Sequence, residues 1–398
     1  MGEEQDIIKI QEKAEAYAPK QLELLKKFAS FDSVTGYEEG NREVIRILKE
    51  ELGKLRIDRI DEEYFEGTGT HLIARIIPEH PDGRILLNAH MDTVFPVGYT
   101  AANPPSVEGD WLHGLGTTDC KAGFVISCYA VRIMQELGLL PNLEIDMIYS
   151  CDEEIGSPTA QKVFEKESKG ADAVFIFEGE QAEMDHVDII TARKGVILGS
   201  MDVKGVEAHA GIAYMDGHSA IRELAGKIIK YYNFNDYENQ IYYNVAPISG
   251  GRPNGVVAGD AHMEFCVAGL RGPEDFKTAE ANLDSLTKDT EDPGCSVSIA
   301  YHTLFPACIR TEQSGKLVDL TAKAGDLLGM KVVEKATPGA ADAAWFSSFG
   351  IPAALDGYGA VGKNIHTTDE CLYIPCLPKK TELFAATLLM LREYGLPR

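Results

Sequence analysis

Three short apolar runs constrain this chain more than any other feature. They are GRILLNAH (83–90), LEIDMIYS (143–150) and ADAVFIF (171–177), and each runs straight into a histidine or a carboxylate. Runs of this length that are apolar at nearly every position read as strands buried on both sides. Between and around them lie segments with helical spacing. These are 5–28, 38–55, the apolar AGFVISCYAVRIMQELG, 314–329, 342–350 and a terminal helix from about Lys379. Further strands are expected at HLIARII, KVVEKA and IPAALDGYG. Alternation of this kind requires an α/β domain with a mixed central sheet and helices on both faces.

The texture changes near Thr191. From 192 to 306 the order is strand (GVILGSMDVKG), amphipathic helix (HSAIRELAGKIIKYYN), two strands, solvated helix, strand. That β-α-β-β-α-β order suits a small four-stranded ferredoxin-like α+β domain. The expected organisation is a catalytic domain in two parts, 1–191 and 307–398, with 192–306 inserted between them. With 398 residues the chain is long enough for two cores.

Charge removes several function classes. The formal net charge is −24, and no Lys/Arg cluster offers the basic face that nucleic acid or an anionic membrane surface requires. The first residues lack the basic start and apolar run of a signal peptide. No apolar stretch approaches the ~18 residues of a membrane span. Eight cysteines occur without a CxxC pair, so reduced thiols in a cytoplasmic protein are the expectation.

The chemistry-bearing residues gather at strand ends, the usual ligand address of open α/β sheets. His90 ends GRILLNAH, and Asp92 follows two residues on, as the carboxylate behind a metal-bound imidazole does. Asp119 stands in the glycine-rich turn Gly114–Gly123, ahead of a helix. A phosphate loop is a rival there, but the GK[ST] ending is missing. A helix cap is the plainer alternative for Asp119. Asp152, Glu153 and Glu154 follow a buried strand, and three adjacent acids need a compensating cation unless they form an exposed loop. Side chains alternate there, so one glutamate can hold a metal while the next faces substrate. Glu178 ends ADAVFIF in the same manner, and His209 and His366 sit in glycine-containing segments. Two histidines and three or four carboxylates exceed one tetrahedral site. They suit two ions about 3.5–4 Å apart that share a carboxylate, with a spare glutamate as general base. Nitrogen and oxygen donors favour two zinc ions, with cobalt or manganese also accommodated.

Taken together, AHMDTV, GLGTTDCKAG, CDEEIGS, FEGE, EAHAG, ISGGRPNGVV, GAADAAWFSSFG and NIHTTDE resemble, in order and spacing, the zinc-dependent carboxypeptidase–aminoacylase family, nearest to bacterial glutamate carboxypeptidase. The likeness spans nearly the whole chain. It implies zinc ligation by His90, Asp119, Glu154, Glu178 and His366, with Asp119 bridging, often through a cis peptide to the next residue. By the same likeness Asp92 orients His90, Glu153 is the general base, His209 stabilises the oxyanion, and Asn254 contacts substrate. It also implies a homodimer through the inserted lid domain and a small peptide or N-acyl amino acid as substrate.

The sequence departs from that family in two places. Its usual Asp-x-Arg reads Cys266-Val267-Ala268, with Arg271 three residues later as the candidate substrate contact. Its Gly-Gly-x-x-Asp reads Gly339-Ala340-Ala341-Asp342. The expected function is hydrolysis of a peptide or amide bond beside a free carboxylate. The alternatives are an N-acyl-amino-acid amidohydrolase, an aminopeptidase using Glu180, Glu183 or Asp185 for an ammonium, and a non-catalytic metal-binding protein on the same fold.

Overall fold

The computed structural model describes residues 2–180 and 186–397. The chain divides into two compact units. One comprises Met1–Ala192, Ile309–Thr337 and Ala341–Arg398, and the other Arg193–Cys308 with Pro338–Ala340. The short return of 338–340 to the second unit is a division that no composition shift signals.

The first unit is built on a six-stranded mixed sheet. Its order is Arg59–Phe65, Gly69–Ile76, Glu144–Ser150, Arg84–His90, Ala173–Ile176, Ala353–Leu355. The first two strands run antiparallel to their neighbours, and the last four are mutually parallel. Alternate residues face opposite ways along a strand. Leu72, Ala74, Leu87, Ala89, Met147, Tyr149, Phe175 and Phe177 therefore join one large core with helices Gly2–Phe28, Ala122–Leu137 and Cys376–Tyr394. Ile73, Leu86, Ile148 and Val174 are also buried and face the other way. On the other face, helix Ala343–Ser348 packs on strands Ala173–Ile176 and Ala353–Leu355. Burial on both faces explains why these strands read as unbroken apolar runs.

Some boundaries differ from expectation. The terminal helix begins at Cys376, three residues early, because Pro378 falls in its first turn, where no intrahelical N–H bond is lost. The second helix ends at Leu52 rather than at about 55. A small sheet of short strands, in the order Gly362–Lys363, Cys371–Tyr373, Trp111–His113, Ser106–Glu108, was not expected. It matters to the site because it lays the 364–370 segment against the Gly114–Asp119 turn.

The second unit has strands Gly195–Lys204, Tyr242–Gly250, Asp260–Leu270 and Ser296–Phe305, with helices Ala220–Tyr232 and Pro273–Ser285. All its strand pairs are antiparallel, and the sheet order is second, third, first, fourth, which is the ferredoxin-like arrangement. Its core joins Met201, Val203, Leu224, Tyr231, Met263, Phe265 and Leu283. Among the described residues no helix is long and apolar enough to cross a membrane.

Candidate metal centre

Parallel strands deliver the donors. His90 and Ser150 are register partners at the carboxyl ends of neighbouring strands, and Glu178 lies two residues beyond the end of the next. Each chain segment leaves the sheet at one edge, so residues far apart in sequence converge there.

Asp119 is the hub. Its Oδ1 lies 2.9 Å from His90 Nε2, and its Oδ2 lies 3.2 Å from His366 Nε2. His366 Nε2 is also 3.2 Å from Glu154 Oε2, and His90 Nε2 is 3.6 Å from Glu178 Oε1. Two groups of donors therefore flank one carboxylate, His90 with Glu178 on one side and His366 with Glu154 on the other. The Asp119–Cys120 peptide is cis, as the family resemblance implies.

The other ring nitrogen of His90 is held from behind. Its Nδ1 lies 3.0 Å from the Asp92 backbone carbonyl and 3.3 Å from Asp92 Oδ1. Asp92 in turn accepts from the Thr35 hydroxyl at 2.6 Å and from the backbone N–H groups of Glu153 and Glu154, both at 3.1 Å. One buried carboxylate thus orients the imidazole and grips the turn that carries both glutamates.

Glu370 is a supporting residue that the sequence reading missed. Its carboxylate accepts from the backbone N–H groups of Gly116 at 2.7 Å, Thr118 at 2.8 Å and Asp119 at 3.2 Å. A fully buried acid four residues past His366 has no periodic signal of its own. Only the short sheet shows which turn it serves.

The electrostatics are those of a centre that needs cations. Burial pushes Glu178 up to about 7, and neighbouring carboxylates add to the push against His90. Glu153 is held far above the usual carboxylate range by burial, then by Glu178, Asp342 and Glu154. Burial opposes charge on His90, yet Glu178, Asp119 and Asp92 drive its proton affinity well up. Hydrogen bonds to Asp119 and Glu154 raise His366 to about 10. Protons collect where positive charge is missing. Among the described residues Glu178 Oε1, fully enclosed, has no hydrogen-bond partner, which is costly for a buried acceptor. A cation beside it removes that cost, and the imidazole and carboxylate donors fit a zinc-like divalent ion. Cys120 also lies beside His90 and Glu178. Burial raises its thiol well above the ordinary range, and its Sγ–H donates to the Phe177 carbonyl at 3.1 Å. With the Cys120 thiol turned to that carbonyl, the donors proposed for the cations are the nitrogen and oxygen groups.

The remaining sequence-predicted residues lie elsewhere. In the second unit, His209 is exposed, and its Nδ1 accepts from the N–H groups of Gly211 and Ile212, both at 3.1 Å. That fixes the ring proton on Nε2, which is left as a donor. Asn254, in the left-handed region at φ 80°, sits on the neighbouring segment, where Ala210 N–H donates to Gly255 O at 2.7 Å. Arg271 is committed to Asp275 at 2.8 Å and to Asn239 at 2.7 Å. In the first unit, Glu180 is engaged by Lys380, which also donates to the Gly357 carbonyl at 2.8 Å. Glu183 and Asp185 lie outside the described residues.

Two imidazoles and a set of carboxylates around a shared aspartate define the class, a hydrolytic centre built for two divalent cations. The family model described as "Peptidase family M20/M25/M40" matches residues 86–390. Carboxypeptidase G2 of Pseudomonas sp. (strain RS-16) is 27% identical over 385 residues, covering 94% of this chain and 89% of that protein. The solved aminopeptidase PepT from Bacillus cereus ATCC 10987 superposes with a TM-score of 0.77 at 21% identity, over 94% of this chain and 98% of that one. A dinuclear metal-binding peptidase of Bacillus subtilis superposes with a TM-score of 0.69 at 17% identity, over 95% and 99%. The chain belongs to peptidase family M20/M25/M40 and is an enzyme, a metal-dependent peptidase of that family.

Proposed function

We propose that this enzyme is an exopeptidase that hydrolyses a peptide or amide bond next to a free carboxylate, as a carboxypeptidase or dipeptidase does. Two zinc ions would be held by His90, Asp119, Glu154, Glu178 and His366, with Asp119 shared, and cobalt or manganese fits the same donors. The observation that carries this reading is the pair of donor groups flanking Asp119, with a buried Glu178 oxygen left unpartnered among the described residues. When bound, the cations supply Lewis acidity at the scissile carbonyl and lower the pKa of water.

The chain's own residues supply the rest. Glu153 stands on a turn gripped by Asp92, beside the ligands yet spare for another role. Its carboxylate takes the proton of the attacking water and passes it to the leaving amine. By the family resemblance, His209 would stabilise the developing oxyanion, supplied from the partner subunit of a dimer. Asp92 holds His90 in one orientation through Nδ1. Asn254 and Arg271 are the proposed substrate contacts.

A second reading, an N-acyl-amino-acid amidohydrolase, is favoured by one observation. The family resemblance calls for Asp-x-Arg where this chain reads Cys266-Val267-Ala268, and the separate arginine that would pair with a substrate glutamate side chain has no clear counterpart, Phe305-Pro306 standing near its place. The two readings separate on a substrate panel with the zinc-loaded enzyme. Dipeptides with a free C-terminus, the same dipeptides amide-capped, and N-acetyl amino acids are compared by kcat/KM. Equal rates on free and amide-capped dipeptides would remove the carboxylate requirement. Faster turnover of the N-acetyl amino acids would select the amidohydrolase.

A homodimer through the second unit is part of the same proposal. Its sheet ends on strand Tyr242–Gly250, which exposes Tyr242 at 44% and Ile248 at 63%, an edge suited to a second copy. A cytoplasmic location is proposed from eight cysteines that are all free thiols.

A further inference from the structure

The turn that carries Glu153 and Glu154 is held at both of its ends by a residue outside the donor set. Strand Glu144–Ser150 ends at Ser150, the turn occupies Cys151–Gly156, and the chain resumes at Ser157. The Ser150 hydroxyl donates to Asp342 Oδ2 at 2.9 Å, and the Ser157 hydroxyl donates to Asp342 Oδ1. All three residues are fully buried. Asp342 precedes helix Ala343–Ser348 but makes no side-chain bond to that helix's backbone. Its carboxylate is spent on the two serines.

Ser157 supplies a second observation. It has φ 59°, the left-handed region that residues with a side chain enter at a cost. The same helix sends the Trp345 indole N–H to the Gly156 carbonyl at 3.2 Å, on the residue just before it. Helix Ala343–Ser348 and its leading aspartate therefore close the far end of the turn. Asp92 grips the middle through the Glu153 and Glu154 amides.

We propose that Asp342 is a positioning residue for the reaction: it clips Ser150 to Ser157 and so fixes where the intervening turn presents the Glu153 and Glu154 carboxylates. The proposal rests on Glu153 acting as proton carrier. Asp342 has both carboxylate oxygens engaged by the two serines. It acts through the geometry of the turn, where about 1 Å of misplacement costs on the order of 100-fold in rate.

The test is Ser157→Gly in the zinc-loaded, full-length enzyme. Glycine enters the left-handed region freely, so the fold is retained while the hydroxyl that Asp342 holds is lost. The expected result is a fall in kcat of about 10-fold or more at saturating zinc, where KM, zinc content and the folded fraction at the assay temperature stay near those of the parent. Hydrogen exchange at the Glu153 and Glu154 amides of the metal-free protein should quicken, a readout independent of turnover. Ser150→Ala should act in the same direction. Adding Ser157→Gly to Asp342→Asn should cost less than it does alone, because both remove one interaction. The proposal is overturned if Ser157→Gly keeps kcat and amide exchange at parental values. It is equally overturned if, at saturating zinc, any loss of rate is matched by lost zinc or lost folded protein. Glu153→Gln measured in parallel separates the failures. If that variant is inactive and Ser157→Gly is normal, only the positioning role falls. If Glu153→Gln is active, the proton-carrier reading falls first.

Discussion

Gly179 lies between Glu178 and Glu180, and its replacement by alanine should damage the metal centre without touching a ligand. A Cβ at this position would meet the Thr118 carbonyl oxygen at 2.4 Å, Thr118 Cγ2 at 2.6 Å and the Thr118 carbonyl carbon at 2.9 Å. Ordinary contact begins at 3.4 Å. The obstruction includes backbone, so rotation of a side chain cannot relieve it. The segment ending in Glu178 and the turn ending in Asp119 must then part by about 1 Å (3.4 minus 2.4). Overpacking of this kind costs about 1–3 kcal/mol of stability. Separating two ligands by that distance should cost about 10-fold to 100-fold in metal affinity, the range seen when supporting groups are lost. The assay is zinc stoichiometry and affinity by competition with a chromophoric chelator, run beside a denaturant titration. Unchanged zinc affinity together with unchanged stability would refute the packing argument, and with it the claim that Glu178 and Asp119 share a centre.

Three more outcomes follow from particular contacts. Asp152 is buried and accepts from the Thr159 N–H at 2.7 Å and the Thr159 hydroxyl at 2.6 Å. Asp152→Ala should lower stability by about 1–3 kcal/mol in denaturant unfolding, since both donors lose their acceptor. Arg75 binds Glu167 at 2.8 Å and also reaches Asp146 and Asp61. Arg75→Met should cost up to about 3–5 kcal/mol by the same assay, because Asp146 is left with Arg84, and Glu167 with Arg84 and the exposed Lys166. His366 holds its proton up to about 10 in the metal-free protein. Metal must displace that proton, so affinity should rise with pH across the neutral range and fall on acidification. Calorimetry in buffers of different ionisation enthalpy should show proton release at pH 7, and an unchanged apparent enthalpy would contradict it.

The sequence reads well where chemistry and periodicity coincide. His90, Glu154 and Glu178 stand at the ends of strands buried on both faces, and such strands leave long apolar runs that stop abruptly at a polar residue. Asp119 and His366 are legible as residues in glycine-containing turns, but their meeting is not. It depends on strands of two or three residues, Gly362–Lys363 and Cys371–Tyr373, too short to show alternation. Glu370 and the Ser150–Asp342–Ser157 clip escape for a related reason. Each joins buried polar groups far apart in the chain, and a lone buried serine or acid has no neighbours in sequence that announce its partner. Arg271 is legible only in part. Its type and its place near the altered strand suggest a substrate contact, and its bonds to Asp275 and Asn239 are seen only once the chain is folded.

The central claim is that Glu153 carries the proton in a centre whose metal is held by other residues. Glu153→Gln tests it most directly, with zinc content by elemental analysis and turnover measured on the same sample. The account predicts two zinc ions per chain and turnover reduced by at least about 100-fold, the low end of what a positioned acid–base group supplies. Near-parental turnover with full zinc would contradict it, and so would loss of zinc in step with loss of rate.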